Sequence, residues 1–281
     1  MLVFTTAEEL LSGINTEGLS VGLVPTMGAL HQGHLSLIEK ACQENDRVVV
    51  SIYVNPTQFN NTQDLKEYPV TLNQDLNLLK PYQKQLIVFT PSNQEMYPNG
   101  FHKKTYDFGS LTKYMEGAYR PGHYDGVATV VELLFKKILP NKAYFGEKDF
   151  QQLQVIRALM KQKNLKIDIV QCPTVREVDG LAMSSRNQLL TPRQRKAAPL
   201  IYSALKAIKN SALDTPISQM ETYFRRQLAQ SNELKIEYFN VAATEDLVPV
   251  KTIEKDKNYR FFVAVFAGKT RLIDTVELER K

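Results

Sequence analysis

With 281 residues, the chain has room for one to two domains. Hydrophobic residues make up 43% and charged residues 23%, an ordinary globular composition that excludes disordered, collagenous and disulfide-rich classes. Its apolar runs are far shorter than the roughly 20 residues of a membrane span, and the N-terminus has no signal or transit pattern, so we expect a cytoplasmic protein without a membrane partner. The net charge of +5 suits an anionic small substrate or a nucleic acid, but no long basic run is present and we expect no nucleic-acid partner.

Short β-rich runs alternate with helical stretches from about residue 19 to residue 170, which predicts a parallel sheet with helices between its strands. An amphipathic helix is predicted over 125–139, where apolar residues fall on one stripe. Residues 109–125 lack clean periodicity and contain three glycines, so they are predicted to form a long loop or lid. The predicted strands are 19–24, 47–54, 86–89, 142–145 and 166–170.

The pattern changes after about residue 176. Two helical runs precede three strands there, and they are predicted at 193–210, 217–231, 235–243, 259–267 and 270–276. We therefore expect an α/β fold with two domains. The first, over 1–176, is a Rossmann-like, doubly wound parallel sheet, and the second, over 177–281, is a smaller C-terminal α+β domain.

The first predicted strand runs directly into a histidine- and glycine-containing segment that opens a helix, Pro25-Thr26-Met27-Gly28-Ala29-Leu30-His31-Gln32-Gly33-His34. Doubly wound sheets bind ligands where strands end, and a helix N-terminus presents N–H groups to anions. His31 and His34 are three residues apart, so both can donate to one phosphate. The alternative is that the two histidines have unrelated roles. A zinc site of the metalloprotease type is not indicated, because it needs histidines at i and i+4 with a glutamate between them.

Polar side chains also follow later strands. The Gln58 amide suits a substrate with hydroxyl and carboxylate groups, although plain turn chemistry explains the preceding Asn55 equally well. Lys148 can neutralise phosphate, and helix capping is the alternative for its neighbour Asp149. A clamp for triphosphate oxygens can be made from two hydroxyls and a guanidinium, in the run Ser184-Ser185-Arg186.

Two of these patterns resemble known signatures. The Gly28-x-x-His31-x-Gly33-His34 pattern resembles the signature of the nucleotidylyltransferase superfamily, and the full string from Pro25 to His34 resembles the pantothenate synthetase family. The superfamily's second motif is usually Lys-Met-Ser-Lys-Ser, and the Ser-Ser-Arg-Asn form found here is common in that family. The likeness extends from about residue 3 to beyond residue 260.

The resemblance implies specific roles and a homodimer. Pantoate would bind Gln58 and Gln152, and β-alanine would bind near Gln58. Catalytic roles fall to His31, His34, Lys148 and Arg186, which we expect to surround one triphosphate. ATP would contact Met27, Gly28, Ala29, Leu30, His31, Gln32, Gly33, His34, Gly146, Glu147, Lys148, Asp149, Val175, Met183, Ser184, Ser185 and Arg186.

The reaction that this implies is the ATP-dependent joining of pantoate to β-alanine through a pantoyl adenylate, with Mg²⁺ and with release of AMP and pyrophosphate. Asp75 is a weak candidate for holding Mg²⁺ through water, and we expect it rather to be a solvated helix residue. The alternatives are another nucleotidylyltransferase or a non-catalytic nucleotide- or RNA-binding module.

Three further points concern the same family. Arg120 and His123, in the predicted lid, either meet substrate or stabilise the loop. Val70 replaces a common arginine, which leaves the role of a cation there open. Gln85 replaces a common acid and is expected to change only surface electrostatics.

Overall fold

Six strands form one parallel sheet in the computed structural model, which describes residues 1–14, 18–210 and 215–278. Their order is β1-β4-β3-β2-β5-β6, and every neighbouring pair is parallel. The strands are β1 (Leu2–Phe4), β2 (Val21–Thr26), β3 (Arg47–Ile52), β4 (Leu86–Phe89), β5 (Lys142–Gly146) and β6 (Asp168–Cys172).

Helices and 3₁₀ turns connect these strands. The helices of this part are α1 (Ala7–Gly13), α2 (Gln32–Glu44), α3 (Thr62–Glu67), α4 (Leu72–Leu79), α5 (Asn93–Met96), α6 (Glu116–Tyr119), α7 (His123–Ile138) and α8 (Phe150–Lys163). The 3₁₀ turns are Pro56–Gln58, Lys80–Tyr82, Gly109–Thr112 and Glu147–Asp149. Among the described residues, none of the helices combines the length and the apolar character that crossing a bilayer requires.

The core of the sheet explains its valine-rich sequence. Val48, Val49 and Val50 of β3 are fully buried, because a central parallel strand is covered on both faces. Ile38 and Ala41 of helix α2 are buried in one hydrophobic cluster with Val48 and Val50. A continuous apolar run therefore marks an interior parallel strand here.

A second sheet has three antiparallel strands in the order β7-β8-β9. Its core includes the fully buried rings of Phe224 and Phe261. The elements are α9 (Pro192–Ala197), α10 (Leu200–Lys209), α11 (Ile217–Leu228), β7 (Leu234–Ala243), β8 (Tyr259–Ala267) and β9 (Thr270–Leu278), with a 3₁₀ helix at Ser185–Leu189. The predicted fold class, a Rossmann-like sheet with a smaller C-terminal α+β part, is confirmed.

The chain divides into two compact units made of discontinuous stretches. The first unit consists of Met1–Phe108, Arg120–Glu147 and Gln152–Pro173. The second unit consists of Gly109–Tyr119, Lys148–Gln151 and Thr174–Lys281, of which residues 211–214 and 279–281 lie outside the described part.

Two predicted elements need correction, and one strand was not predicted. The interval 109–125 is wrong as a plain loop, because it contains a 3₁₀ turn, helix α6 and the start of α7 at His123. The interval 193–210 is two helices, since Pro199 has no N–H to continue the first one. Strand β1 was missed because it is three residues long and exposes Leu2 and Val3 at the sheet edge.

Candidate active site

The loop between β2 and α2 places the histidine pair at the junction of a strand and a helix. Gly28 and Ala29 both adopt positive φ angles, 80° and 49°, which turn the chain sharply after β2. The Thr26 hydroxyl stabilises this turn by donating to the Ser51 carbonyl and accepting the Gly28 N–H. Helix α2 then begins with His31 as its N-cap residue.

The two histidines cap the helix with their own rings. Nδ1 of His31 accepts the Gly33 N–H at 3.1 Å, and Nδ1 of His34 accepts the His31 N–H at 3.3 Å. The ring centroids are 4.0 Å apart. Because each Nδ1 acts as an acceptor, the neutral rings carry their hydrogen on Nε2, which is the donor that each imidazole offers. The structure thus brings both predicted donors onto one turn, beside the exposed Gln32.

Asp75 is buried under this loop and is not the solvated helix residue expected from the sequence, being only 1% exposed. Its carboxylate accepts the N–H groups of Ala29, at 3.0 Å, and Leu30, at 2.8 Å. It also accepts the Thr71 hydroxyl at 3.2 Å. The sequence carries no local signal for this contact, because the partners are 45 and 46 residues apart.

A polar turn follows the neighbouring strand β3. The Gln58 side chain accepts from Asn55 Nδ2 at 3.0 Å and donates to the sulfur of Met27 at 3.1 Å. Asn55 is 1% exposed, and its Oδ1 accepts the hydroxyls of Thr57 and Tyr97. Gln58 is therefore held beside the β2 loop, and Asn55 is the orienting residue that sequence reasoning missed.

His123 supports the Gln58 turn from helix α7. Its Nδ1 lies 2.8 Å from the carbonyl oxygen of Gln58, and its Nε2 lies 3.0 Å from Nη1 of Arg120. A carbonyl can only accept and a guanidinium can only donate, so His123 is neutral with its hydrogen on Nδ1. Of the two roles considered for His123, loop stabilisation is the one that these contacts provide.

The end of β5 carries the next predicted group. A Cβ on Gly146 would meet no atom of the described residues within 4 Å, so packing among them does not explain a glycine there. Glu147 accepts a hydrogen bond from Nε2 of Gln171 at 2.8 Å, and Gln152 is half-buried on α8. These residues belong to the first unit, together with the histidine pair, whereas the intervening stretch Lys148–Gln151 belongs to the second unit.

The second unit brings together Lys148 and the predicted clamp. Nζ of Lys148 donates to the Met183 carbonyl at 3.3 Å, and the Met183 N–H donates to the carbonyl of Val175 at 3.0 Å. The Ser184 hydroxyl caps the following 3₁₀ helix by accepting the Arg186 N–H. The lysine, the segment predicted to contact adenine and the clamp are thus neighbours within one unit, in which Ser185 is buried and Asp149 half-buried.

Two arginines hold the hairpin that leads into the clamp. Arg176 makes a bidentate pair with Asp274, at 2.7 and 3.0 Å, and stacks on the Tyr202 ring. Arg195 pairs with Glu177 and Asp179. Bidentate arginine pairs fix geometry as well as charge, so the hairpin is anchored to the second unit on two sides.

A parallel sheet whose strand ends gather glycines, imidazoles and amides at a helix N-terminus defines an α/β enzyme of the nucleotide-binding class. A family model described as pantoate-beta-alanine ligase matches residues 3–277. The chain belongs to the pantoate–β-alanine ligase family and is a ligase, as the sequence motifs predicted.

Named relatives are similar to this chain over nearly its whole length. The pantothenate synthetase of Christiangramia forsetii is 45% identical over 282 residues, covering 99% of both chains. The crystal structure of pantothenate synthetase from Thermus thermophilus has a TM-score of 0.91 at 40% identity and covers 100% of both chains. The Francisella tularensis pantoate-beta-alanine ligase, solved in complex with beta-gamma ATP and beta-alanine, has a TM-score of 0.84 at 36% identity, covering 100% of this chain and 99% of that one.

Proposed function

We propose that this chain condenses pantoate with β-alanine at the expense of ATP and releases AMP and pyrophosphate. The observation that carries the proposal is the family match over residues 3–277, together with the histidine pair at the end of β2. The ATP and β-alanine present in the Francisella tularensis complex support the choice of substrates.

Activation of the acid is chemically necessary, because a carboxylate would have to expel an oxide to react with an amine. In the first step a pantoate oxygen bonds to the α-phosphorus of ATP, and the bond from that phosphorus to the bridging oxygen breaks, releasing pyrophosphate. In the second step the β-alanine nitrogen bonds to the acyl carbon, the bond from carbon to the AMP oxygen breaks, and the amine proton passes to solvent. No protein nucleophile is needed, so catalysis consists of positioning and charge stabilisation.

We assign the α-phosphate to the Nε2–H donors of His31 and His34, which the Nδ1 contacts orient outward from the helix cap. Pantoate is assigned to Gln58 and Gln152, and β-alanine to Gln58. The amide of Gln58 suits these substrates because it can donate to one oxygen and accept from a hydroxyl or an ammonium group.

The second unit is assigned the departing pyrophosphate, through Lys148, Ser184, Ser185 and Arg186. Compact ammonium and planar guanidinium groups both neutralise phosphate charge. We further assign nucleotide and pantoate binding to residues 1–176, and the clamp to residues 177–281.

Magnesium enters this proposal as part of the MgATP substrate. Within the described residues, no three His, Cys, Asp or Glu side chains form a metal-binding group. Mg²⁺ keeps several waters and is commonly held by substrate phosphates, so it does not require a protein cage. We also propose a cytoplasmic homodimer, on the family resemblance, and light scattering of the purified chain tests its mass.

Isotope exchange between pyrophosphate and ATP tests the function, first without and then with pantoate. We expect exchange only with pantoate, and AMP release on adding β-alanine. An exchange rate that is the same with and without pantoate would indicate another nucleotidylyltransferase. ATP binding without any exchange would indicate a non-catalytic module.

A further inference from the structure

The carboxylate of Asp75 organises the backbone that leads into the histidine pair. Its two oxygens accept three hydrogen bonds, from consecutive backbone N–H groups at Ala29 and Leu30 and from the Thr71 hydroxyl. All three partners are donors, and both carboxylate oxygens of Asp75 act as acceptors. A buried polar group is stabilised when its hydrogen bonds are satisfied in this way.

The backbone that Asp75 holds is one that a free chain disfavours. Ala29 has a side chain and still adopts a φ of 49°, in the left-handed region. Gly28, at 80°, brings the chain so close that an added Cβ would lie 3.1 Å from Oδ2 of Asp75. Such conformations persist where their surroundings over-determine them, and the carboxylate supplies that constraint.

The held residues lead directly into the catalytic pair. Leu30, whose N–H is bound by Asp75, precedes His31, whose own N–H is bound by the ring of His34. A change in the path of residues 29 and 30 therefore moves both imidazoles together.

We propose that Asp75 is a positioning residue that sets the orientation of His31 and His34, and that it is not a ligand of the magnesium in MgATP. The expected effect on the reaction rate rests on the proposed function. The effect of Asp75 on the orientation of the two rings does not depend on that function. Each Asp75 oxygen faces a backbone N–H, so a cation there would have to displace those donors.

The first test compares Asp75→Asn with the matched control Thr71→Val in the pyrophosphate exchange reaction. An asparagine presents an N–H₂ group where one backbone N–H needs an acceptor. The backbone conformation of residues 29 and 30 is then no longer held. We expect kcat to fall roughly 10²-fold, as for a misplacement of about 1 Å, while the magnesium concentration at half-maximal rate stays unchanged. Thr71→Val removes only the hydroxyl contact, and we expect less than a threefold loss.

The second test reads the histidines directly. The chain has four histidines, so ¹⁵N-histidine spectra resolve the tautomer of each ring. We expect His31 and His34 to carry hydrogen on Nε2 in the wild type and to lose that preference in Asp75→Asn. His123, whose contacts lie elsewhere, should keep its Nδ1–H form in both proteins.

A rescue experiment separates positioning from general destabilisation. Ala29→Gly removes the steric opposition at a positive φ, so the loop depends less on the carboxylate. The loss caused by Asp75→Asn should therefore be smaller in an Ala29→Gly background than in the wild type. If thermal unfolding shows that Asp75→Asn does not fold, Asp75→Glu, which displaces the carboxylate by one methylene, takes its place with the same expected signs.

Three outcomes overturn the inference: wild-type kcat in folded Asp75→Asn, unchanged His31 and His34 tautomers, or a rate loss that excess magnesium restores. A wild-type protein without pantoate-dependent exchange would instead reject the proposed function, and the tautomer comparison would still decide the role of Asp75 in the loop.

Discussion

The side-chain nitrogen of Gln58 donates a hydrogen bond to the sulfur of Met27, with 3.1 Å between the two atoms. Gln58 belongs to the turn after β3, and Met27 belongs to the loop after β2. The contact joins the residue assigned to pantoate to the loop assigned to ATP. Since β2 and β3 pair in parallel register, both residues emerge at the same edge of the sheet.

Gln58→Ala should weaken pantoate binding more than ATP binding. A hydrogen bond to a charged group contributes about 1.5–3 kcal/mol, so we expect a rise of roughly 10- to 100-fold in the pantoate dissociation constant. Calorimetric titration of each ligand measures the difference. Gln63→Ala, on an exposed helix position nearby, is the control, and equal losses for the two ligands would reject the assignment.

His34→Ala should lower turnover by about 10²- to 10³-fold while the protein stays folded, the typical cost of one lost preorganised donor. His34→Asn keeps an acceptor near the position of Nδ1 but has no donor at Nε2, so it should be as slow as alanine. His34→Gln can place an N–H near Nε2 and should recover part of the rate. His102→Ala, at an exposed site, controls for histidine loss in general, and normal turnover in folded His34→Ala would contradict the assignment.

Glu132 makes the stability of the fold depend on pH in the acidic range. Burial raises the pKa of this carboxyl, but hydrogen bonds from Lys136, Tyr106 and Lys104 outweigh burial and lower the pKa to about 2. A lowered pKa means that Glu132 stabilises the fold fully above its ordinary pKa of 4.5, and that this contribution disappears as the pH falls from about 4.5 to about 2.

Urea unfolding of Glu132→Gln and of the wild type between pH 6 and roughly pH 3 tests this linkage. The difference in unfolding free energy between the two proteins should shrink as the pH falls. Glu8→Gln, at an exposed position, should track the wild type throughout. A difference that stays constant with pH would show that the Glu132 network does not couple to protonation.

Arg271 ties helix α6 to the second sheet. It donates to both oxygens of Glu116, at 2.8 and 2.6 Å, and also to Glu237. Although burial lowers the pKa of Arg271, its bonds to the carboxylates raise the pKa above the ordinary value. Glu116 additionally accepts the Tyr238 hydroxyl at 2.8 Å.

Glu116→Gln should cost about 1–3 kcal/mol of unfolding free energy, because the charge-assisted bidentate bonds from Arg271 are lost while Arg271 keeps its bonds to Glu237. The exposed pair of Arg225 and Glu221 is the matched control, and Glu221→Gln should cost less than about 1 kcal/mol. Chemical denaturation measures both values. Similar costs for the two variants would show that the Glu116 pair is no more important than a surface pair.

The parts of the fold that local sequence determines were predictable. The strand 86–89 matches β4 at both ends, and β8 matches its predicted bounds, since each is a run of apolar residues between clear breaks. The strand predicted at 19–24 extends instead to Thr26, through Pro25. That proline is tolerated because β5 pairs only with Gly22 and Leu23, so no neighbour on that side needs its N–H.

The site was predictable only where it is local. The histidine pair follows from a strand, a glycine turn and a helix that adjoin in sequence. The support from Asp75 did not follow, because Asp75 bonds Leu30, 45 residues earlier. Asn55 bonds Gln58 locally, but its contact with Tyr97, 42 residues later, did not follow from the sequence. The prediction of a loop at 109–125 was wrong for the same reason, since helix α6 has distant partners in Gln151, 35 residues later, and Arg271, 155 residues later.

That separation has a consequence during translation. Glu116 is synthesised 155 residues before Arg271, so at about 5–20 residues per second its counterion follows roughly 8–30 seconds later. Residues 109–119 can contact Gln151 early, because Gln151 bonds the backbone of Leu111, Tyr114 and Glu116, but the ion pair of Glu116 with Arg271 can form only when synthesis is nearly complete. In a nascent chain stalled before β9, proteases should therefore cut this segment faster than in the finished chain.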